Sequence, residues 1–200
     1  ITETLEKKIA QMIGCKHAIV TNNGTSSLIC SLLSHNIGSG DEVIVPSFTF
    51  IATVNAILSV GAKPILVDCN PKTFNTEVSF VKKKITKKTR AILPVDVSGM
   101  PIDVNAFQDL VNEKDLVLIQ DSAESIGAEY KQKKIGSFGH STIFSFHMAK
   151  AVSGIEGGCI VTNDSNIAKK AKLIRSHGDA NQYDHKVFGL NLPSPCAIIL

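Results

Sequence analysis

The sequence lacks the patterns that mark metal-binding, disulfide-bonded and membrane-spanning proteins. Its five cysteines form no Cys-x-x-Cys pair and no disulfide-framework spacing, and its six histidines include no His-Glu-x-x-His motif. No apolar run approaches the roughly 18–20 residues that a membrane span needs. The amino end shows no charged segment followed by an apolar stretch, the pattern of a signal peptide. We therefore expect a cytoplasmic protein with reduced thiols, no metal site and no membrane partner.

The charge pattern does not indicate a protein that binds nucleic acid. The formal net charge is +3 over 200 residues, whereas nucleic-acid binders concentrate positive charge in a stripe. The one basic run, residues 82–90, has no interleaved aromatic side chains and is typical of a solvated helix end. Hydrophobic residues make up 44% of the chain, which is enough for a sizeable core in a single domain.

What the sequence does contain is an alternation of short β-branched runs and helical segments. Most of the runs are continuously apolar, which is typical of strands covered on both faces. We predict seven strands, at 17–20, 42–46, 64–68, 91–97, 116–121, 141–147 and 157–164. The helical candidates include 2–13, 25–35, 50–60, 103–113 and 165–177.

The spacing of these strands predicts their directions. Each gap between the first five strands has room for a crossover helix, which favours parallel neighbours. The last two strands are joined by only about nine residues, too few for a helical crossover, so the seventh strand is predicted to be antiparallel. The pattern is that of a three-layer α/β/α domain with a mostly parallel seven-stranded sheet.

In open α/β sheets, ligands bind beyond the carboxyl ends of the parallel strands, so the residues directly after each strand are candidates for a site. The first strand is followed by Gly24, Thr25 and Ser26 at a helix start, where free N–H groups and hydroxyls suit an anion such as phosphate. The same residues fit an ordinary helix cap equally well. The sequence has no Gly-x-x-x-x-Gly-Lys-Ser/Thr motif and no Gly-x-Gly-x-x-Gly after a strand, so neither a P-loop nor a dinucleotide fingerprint applies.

Three further side chains fall at the same predicted edge, each with an ordinary alternative. Phe50 opens a helix and could stack on a flat ring, although a core position fits as well. Asp121 ends the fifth strand, where a buried carboxylate needs a cationic partner, although "DSAE" also resembles a helix capping box. Lys150 follows the sixth strand and is either a solvated lysine or a nucleophile with apolar walls and a neighbouring cation.

One small molecule, pyridoxal 5′-phosphate (PLP), needs this whole set of groups. Its phosphate suits the helix start, its ring an aromatic face, its pyridinium nitrogen a carboxylate, and its aldehyde a lysine amine. We therefore interpret the edge as a PLP site. A generic phosphate-binding α/β module is the alternative that these residues leave open.

The order of the motifs resembles the DegT/DnrJ/EryC1/StrS family of sugar aminotransferases, which are fold-type-I PLP enzymes. The matching stretches cover nearly all of residues 5–191 and include "NNGTSSL", "GDEVIVPSFTFIATVNAI", "DSAESIGAEYKQKKIGSFG", "FSFHMAK", "EGGCIVTND" and "FGLN". The resemblance implies that Lys150 binds the cofactor covalently and that Asp121 pairs with its ring nitrogen. The other cofactor contacts that it implies are the phosphate with Gly24, Thr25, Ser26 and Ser145, the ring with Phe50, the phenolic oxygen with Glu124, and the neighbouring subunit's phosphate with Asn191.

The activity implied by the resemblance is transamination of a nucleotide-linked keto-sugar with glutamate as amino donor, in a homodimer with shared active sites. Family members are close to twice this length. By this comparison the chain consists of the PLP-binding large domain (1–191) and an atypical tail (192–200), without the C-terminal small domain. Pro193 and Pro195 stand in the tail where a helix is expected.

Two other functions remain open at this point. One is a truncated, non-catalytic remnant that binds PLP without turnover. The other is a sugar dehydratase of the same fold, which uses the cofactor without the lysine, so that Lys150 argues against it.

Overall fold

The computed structural model describes residues 1–138, 141–179, 186 and 189–190. The helices in these ranges are α1 (Thr2–Ile13), α2 (Gly24–Ser34), α3 (Ile51–Ser59), α4 (Val78–Lys82), α5 (Val104–Lys114) and α6 (Ser165–Arg175), with a short 3₁₀ turn at Val97–Gly99. The strands are β1 (His17–Thr21), β2 (Glu42–Pro46), β3 (Lys63–Val67), β4 (Thr89–Ile92), β5 (Val117–Asp121), β6 (Glu129–Tyr130), β7 (Lys133–Lys134), β8 (Ser141–Ser145) and β9 (Gly158–Thr162).

Seven of the strands form one sheet in the order β1-β9-β8-β5-β4-β2-β3, and β6 and β7 form a separate small hairpin. Strand β9 runs antiparallel to both of its neighbours, β1 and β8. The remaining neighbouring pairs are parallel. The predicted sheet, mostly parallel with an antiparallel last strand, is therefore confirmed. The reversal follows from the β8–β9 connection, which is built of turns and contains no helical crossover.

Helices cover both faces of the sheet, which accounts for the continuously apolar strands. On one face α1, α4 and α5 pack against side chains such as Val20 and Leu118. On the other face α2, α3 and α6 pack against their chain neighbours, such as Ile19 and Ile119. Alternate residues of β1, β2, β4, β5, β8 and β9 thus enter opposite cores, whereas β3, at the sheet edge, leaves Leu66 exposed. The predicted three-layer architecture is confirmed.

The fourth strand is shorter than predicted. The prediction extended it over 91–97, but β4 ends at Ile92. Pro94 has no N–H to continue the ladder, and beyond it the chain contacts β5 only through an isolated bridge between Val95 and Asp121. The chain then turns sharply at Val97–Gly99, where Ser98 has a left-handed backbone with φ 53°. This early ending brings Ser98 to the carboxyl end of β5.

The basic run behaves as the sequence indicates, since α4 ends at Lys82 and the following lysines are exposed. Among the helices of the described ranges, none is both long enough and apolar enough to cross a membrane.

Candidate active site

A cleft of about 410 Å³ lies at the carboxyl ends of β1, β5 and β8, where α2 and α3 begin. It is lined by Asn23, Gly24, Thr25, Leu28, Phe50, Ala52, Thr53, Asp121, Ala123, Ile143, Ser145, His147, Ala149, Lys150 and Glu156. A neighbouring cavity of about 320 Å³ shares Phe50, Asp121 and Lys150 with this cleft and adds Glu124. The structure therefore brings most of the residues singled out from the sequence to one place.

One end of the cleft is the start of α2, whose first backbone N–H groups could hold an anion. Asn23 has an extended backbone, and its side-chain oxygen accepts a hydrogen bond of 2.8 Å from the backbone N–H of Ser26. The N–H groups of Gly24 and Thr25 belong to the first turn, so no carbonyl within the helix can accept their hydrogen bonds. The helix dipole favours negative charge beside them. Ser26 lies behind them, with its N–H already bonded to the Asn23 cap.

Two glycines allow three segments to meet at this end. A Cβ atom on Gly24 would lie only 3.0 Å from the Cβ of Ser145, so β8 and α2 can approach only without it. A Cβ atom on Gly158 would lie 2.3 Å from the carbonyl oxygen of Asn23. Gly158, the first residue of β9, thus packs against the start of α2, and Ser145 lies beside Gly24 and Thr25.

Asp121 ends β5 with its carboxyl group buried beneath the middle of the cleft, and the residue is only 4% exposed. One carboxyl oxygen accepts a hydrogen bond of 2.8 Å from the Thr53 hydroxyl, and the other accepts one of 3.2 Å from the Ala123 N–H. Burial raises the pKa of Asp121 to about 6, although these two hydrogen bonds lower it. A cation bound in the cleft would stabilise the ionised form. The capping-box alternative is wrong, because residues 122–128, between β5 and β6, form turns and contain no helix.

A second buried carboxylate supports the strand end from the opposite face. Asp96 accepts hydrogen bonds from the Gln120 side chain (3.0 Å), the Ser122 hydroxyl (2.6 Å) and the backbone N–H of Ile102 (3.0 Å). Gln120 and Ser122 flank Asp121, so these bonds fix the backbone on both sides of it. Burial raises the pKa of Asp96. The sequence reasoning did not single out this residue.

Lys150 is neither a solvated strand end nor a core residue. Its side chain is 22% exposed and its Nζ atom lies 3.0 Å from Oε1 of Glu124. The other oxygen of Glu124 accepts a hydrogen bond of 3.1 Å from the backbone N–H of Ser98, in the turn that follows Pro94. The amine is therefore held at the cleft by a carboxylate that is itself oriented by the backbone.

The lysine sits in an irregular hairpin that joins β8 to β9. Backbone hydrogen bonds run from the N–H of Phe146 to Gly157 O (2.9 Å) and from the N–H of Met148 to Ile155 O (3.0 Å). The side chains of His147 and Glu156, both of which line the cleft, lie 3.5 Å apart across this hairpin. Ile155 has a left-handed backbone with φ 69°, which is unusual for a β-branched residue.

Phe50 stands at the mouth of the cleft as the residue before α3, and it is 76% exposed. The alternative of a core phenylalanine is therefore wrong. Stacking on a cofactor ring stays a prediction.

Asn191 and the tail 192–200 lie outside the described residues.

Sequence reasoning missed Thr53, His147 and Glu156, all of which line the cleft. Thr53 could have been noticed from helical spacing, because it follows Phe50 by one helical turn and its N–H donates to the Phe50 carbonyl (3.1 Å). His147 and Glu156 carry no such signal, because the hairpin that pairs them is irregular.

Comparisons with known proteins agree with this geometry. The model of the DegT/DnrJ/EryC1/StrS aminotransferase family matches residues 1–193. GDP-perosamine synthase from Caulobacter vibrioides is 43% identical over 188 residues, which are 93% of this chain and 51% of that protein. The chain thus spans about half the length of the curated relatives it matches.

Solved structures show the same arrangement of the backbone. DesV from S. venezuelae superposes with a TM-score of 0.96 at 33% identity, covering 99% of this chain and 54% of that one. NtdA from Bacillus subtilis, solved with bound cofactor PMP, has a TM-score of 0.94 at 32% identity and covers 99% and 46%. The chain therefore belongs to the DegT/DnrJ/EryC1/StrS aminotransferase family, whose cofactor is pyridoxal 5′-phosphate.

Proposed function

We propose that the protein transfers an amino group to a nucleotide-linked keto-sugar, with PLP held in the cleft and glutamate as amino donor. The observation that carries this proposal is the meeting of Lys150, Asp121 and the start of α2 around one cavity of about 410 Å³. When bound there, PLP would supply an electron sink for the carbanion that transamination requires. The names of the relatives, GDP-perosamine synthase among them, support a nucleotide-linked sugar as the acceptor.

The protein's own groups have distinct tasks in this reaction. The N–H groups of Gly24 and Thr25 and the Ser145 hydroxyl would bind the phosphate and so fix the cofactor's position. Asp121 would hold the proton on the ring nitrogen, because a buried carboxylate stabilises an adjacent cation strongly. Phe50 would cover the ring from the solvent side, which excludes water from the reacting atoms.

Lys150 would anchor the cofactor and then carry the proton. A lysine amine that is released beside the reacting carbon can take a proton from the donor Cα and return it to the cofactor, acting first as base and then as acid. Glu124, 3.0 Å from Nζ, would keep the free amine oriented toward the cleft. Ser98 would hold Glu124 in place through its backbone N–H.

The proposal includes a cytoplasmic homodimer in which Asn191 reaches the partner's phosphate. Its support is a set of exposed apolar side chains in the two segments that flank the cleft, with Phe48 and Phe50 before α3 and Met148, Val152 and Ile155 in the hairpin between β8 and β9. Several large apolar side chains exposed on neighbouring segments are typical of an interface. The free thiols of Cys15, Cys30, Cys69 and Cys159 are consistent with a reducing compartment.

The test is transfer of nitrogen isotope. The purified protein is loaded with PLP and incubated with ¹⁵N-glutamate and a set of GDP- and UDP-linked keto-sugars, and the products are analysed by mass spectrometry. We expect a ¹⁵N-amino-sugar with at least one acceptor, and none with Lys150→Ala. PLP binding without transfer to any acceptor would favour the non-catalytic alternative. Loss of a hydroxyl from the sugar without nitrogen transfer would favour the dehydratase.

A further inference from the structure

Thr53 makes the shortest hydrogen bond that Asp121 receives. Its Oγ1 atom lies 2.8 Å from Asp121 Oδ2, and the residue is only 1% exposed. Asp121 stands at the end of β5 and Thr53 in the first turn of α3, so the bond joins two elements that meet at the cleft. Both residues line the cleft.

The Thr53 hydroxyl belongs to a chain of two hydrogen bonds, from Thr49 to Thr53 to Asp121, in which each hydroxyl donates toward Asp121. Thr49 Oγ1 lies 2.8 Å from Thr53 Oγ1, and either hydroxyl could be the donor in an isolated pair. An ionised carboxylate can only accept, so Thr53 must give its single proton to Asp121. The 2.8 Å contact then requires Thr49 to donate to Thr53, because its other acceptor, the Phe50 carbonyl, lies farther away at 3.4 Å. Each hydroxyl in this chain favours the ionised form of Asp121.

We propose that Thr53, backed by Thr49, is a positioning residue that keeps Asp121 ionised and turns its free lone pairs toward the cleft. This inference rests on the proposed function, since an ionised Asp121 matters only if a cation binds beside it. Thr53 also donates its backbone N–H to the carbonyl of Phe50 (3.1 Å). Thr53 therefore contacts both Phe50, which would cover the ring, and Asp121, which would hold the proton on the ring nitrogen.

The surroundings of Asp121 disfavour its ionised form, and the two hydroxyls oppose this effect. Burial is the largest cause that raises the pKa of Asp121, and the charge of Asp96 on the other side of the strand raises it further. Lys150 lowers this pKa, but its amine is paired with Glu124. The other titratable side chains that line the cleft, His147 and Glu156, lie 3.5 Å from each other. The Thr53 hydroxyl, at 2.8 Å, is thus the shortest hydrogen-bond donor to the carboxylate, ahead of the Ala123 N–H at 3.2 Å.

The first test measures the ionisation of Asp121 directly, without cofactor. Carboxyl ¹³C NMR follows the titration, and Asp121→Asn assigns the signal. We expect a midpoint near 6 in the original protein and a midpoint higher by about one pH unit or more in Thr53→Val, which removes the hydroxyl at constant shape. Thr53→Ser should restore the original midpoint.

A matched control separates this effect from any exchange of a buried threonine. Thr142 in β8 is fully buried and, within the described part of the chain, its hydroxyl has no partner. Thr142→Val should leave the Asp121 midpoint unchanged. If Thr53→Val does not fold, Thr49→Val at a half-buried position should still give a smaller upward change. An unchanged midpoint in the folded Thr53 variant, or in Thr49→Val where that variant is the one used, overturns the proposal.

The second test asks whether the hydroxyl acts on the ring nitrogen. Dissociation constants are measured for PLP and for its 1-deaza analogue, which has carbon in place of that nitrogen. We expect Thr53→Val to weaken PLP binding about tenfold more than binding of the analogue. Equal weakening of both would show a merely structural role and contradict the proposal. If the original protein binds both equally, the proposed pairing of Asp121 with the ring nitrogen fails, while the NMR midpoints still decide the role of Thr53.

Discussion

At the scale of single residues, the cleft and its hairpin contain two residues in states that lower the stability of the fold, a buried carboxyl group and a left-handed β-branched residue. Asp121 is a buried carboxyl group, and the Lys150 amine, whose charge lowers the pKa of Asp121, forms its ion pair with Glu124. Ile155 has a backbone conformation that suits glycine. Such states persist when the surrounding fold imposes them, and they concentrate at ligand-binding sites. Both residues therefore allow predictions in which a substitution increases stability.

Asp121→Asn should stabilise the cofactor-free protein at neutral pH. The folded pKa of about 6 lies above the ordinary 3.8, so from about pH 4 to 6 the folded state keeps a proton that the unfolded chain has lost. The stability of the original protein therefore falls as the pH rises through this window. The difference of about two pH units corresponds to about 3 kcal/mol as an upper limit.

Urea unfolding of both proteins at pH 4 and pH 7.5 measures this effect. We expect the advantage of Asp121→Asn to be absent at pH 4 and present at pH 7.5, and we expect the variant to bind PLP while losing nearly all transamination. A stability difference that is independent of pH would contradict the raised pKa. Asp96 is present in both proteins, so its own titration largely cancels from the comparison.

Ile155→Gly should raise thermal stability. A left-handed backbone costs a side-chain-bearing residue about 1–2 kcal/mol, and glycine adopts it freely. For a protein of this size, 1 kcal/mol corresponds to about 2–4 °C in Tm. Val152→Gly is the matched control, because Val152 is an exposed apolar residue of the same hairpin that is not among the residues with positive φ. It should lower Tm, and an equal fall in both variants would refute the strain at Ile155.

At the scale of secondary-structure elements, a buried ion pair ties α1, β1 and α6 together. The carboxylate of Glu6, on α1, contacts the guanidinium of Arg175, on α6, and also accepts a hydrogen bond of 3.1 Å from the backbone N–H of Val20. The guanidinium in turn donates to the Val20 carbonyl (3.2 Å). All three groups meet at the face of β1, so the pair fixes both helices to the sheet.

Glu6→Leu should therefore destabilise the fold by about 3–5 kcal/mol, because it leaves the guanidinium buried without its partner. The double variant Glu6→Leu/Arg175→Met should recover much of this loss, since it replaces both charges with apolar side chains. Chemical denaturation of the two variants measures the difference. If the double variant is as unstable as Glu6→Leu, the loss comes from packing or from the lost hydrogen bonds to the Val20 backbone, and not from the uncompensated charge.

The elements were predictable from the sequence where local rules govern them. Apolar β-branched runs predicted the strands of the main sheet, and the short link before Gly158 predicted the reversal of β9. The end of β4 was misplaced because Pro94 breaks the ladder while the apolar pattern continues to Val97. A pattern of hydrophobic residues reports burial, and it does not report which backbone groups are paired.

The site was only partly predictable for a related reason. Lys150 and Asp121 follow strands whose positions the sequence reveals, and the rule for open sheets then brings them together. Thr53 and Asp121 are 68 residues apart, and Asp96 reaches Gln120 across 24 residues. Such pairs depend on how α3 and the turn after Pro94 pack, and no local pattern encodes that packing.

At the scale of the whole molecule, Phe50 lines the cleft and is largely exposed, so a second copy could cover it. If two copies share their sites, Lys150 of one copy works with Asn191 of the other. Mixing Lys150→Ala with Asn191→Ala should then restore activity, because one site of each mixed dimer holds both intact residues. Random exchange makes half of the dimers mixed, so about one quarter of the sites should be active. Assays before and after subunit exchange measure this, and no recovery despite proven exchange would contradict shared sites.

The central claim is that this fold places Lys150 to bind PLP, and borohydride trapping tests it most directly. The protein is incubated with PLP, reduced, digested and mapped by mass spectrometry. The account predicts one phosphopyridoxyl group per chain on Lys150, and no trapped group in Lys150→Ala at the same PLP concentration. Specific labelling of another lysine, or no labelling at a PLP concentration that saturates binding, would contradict it.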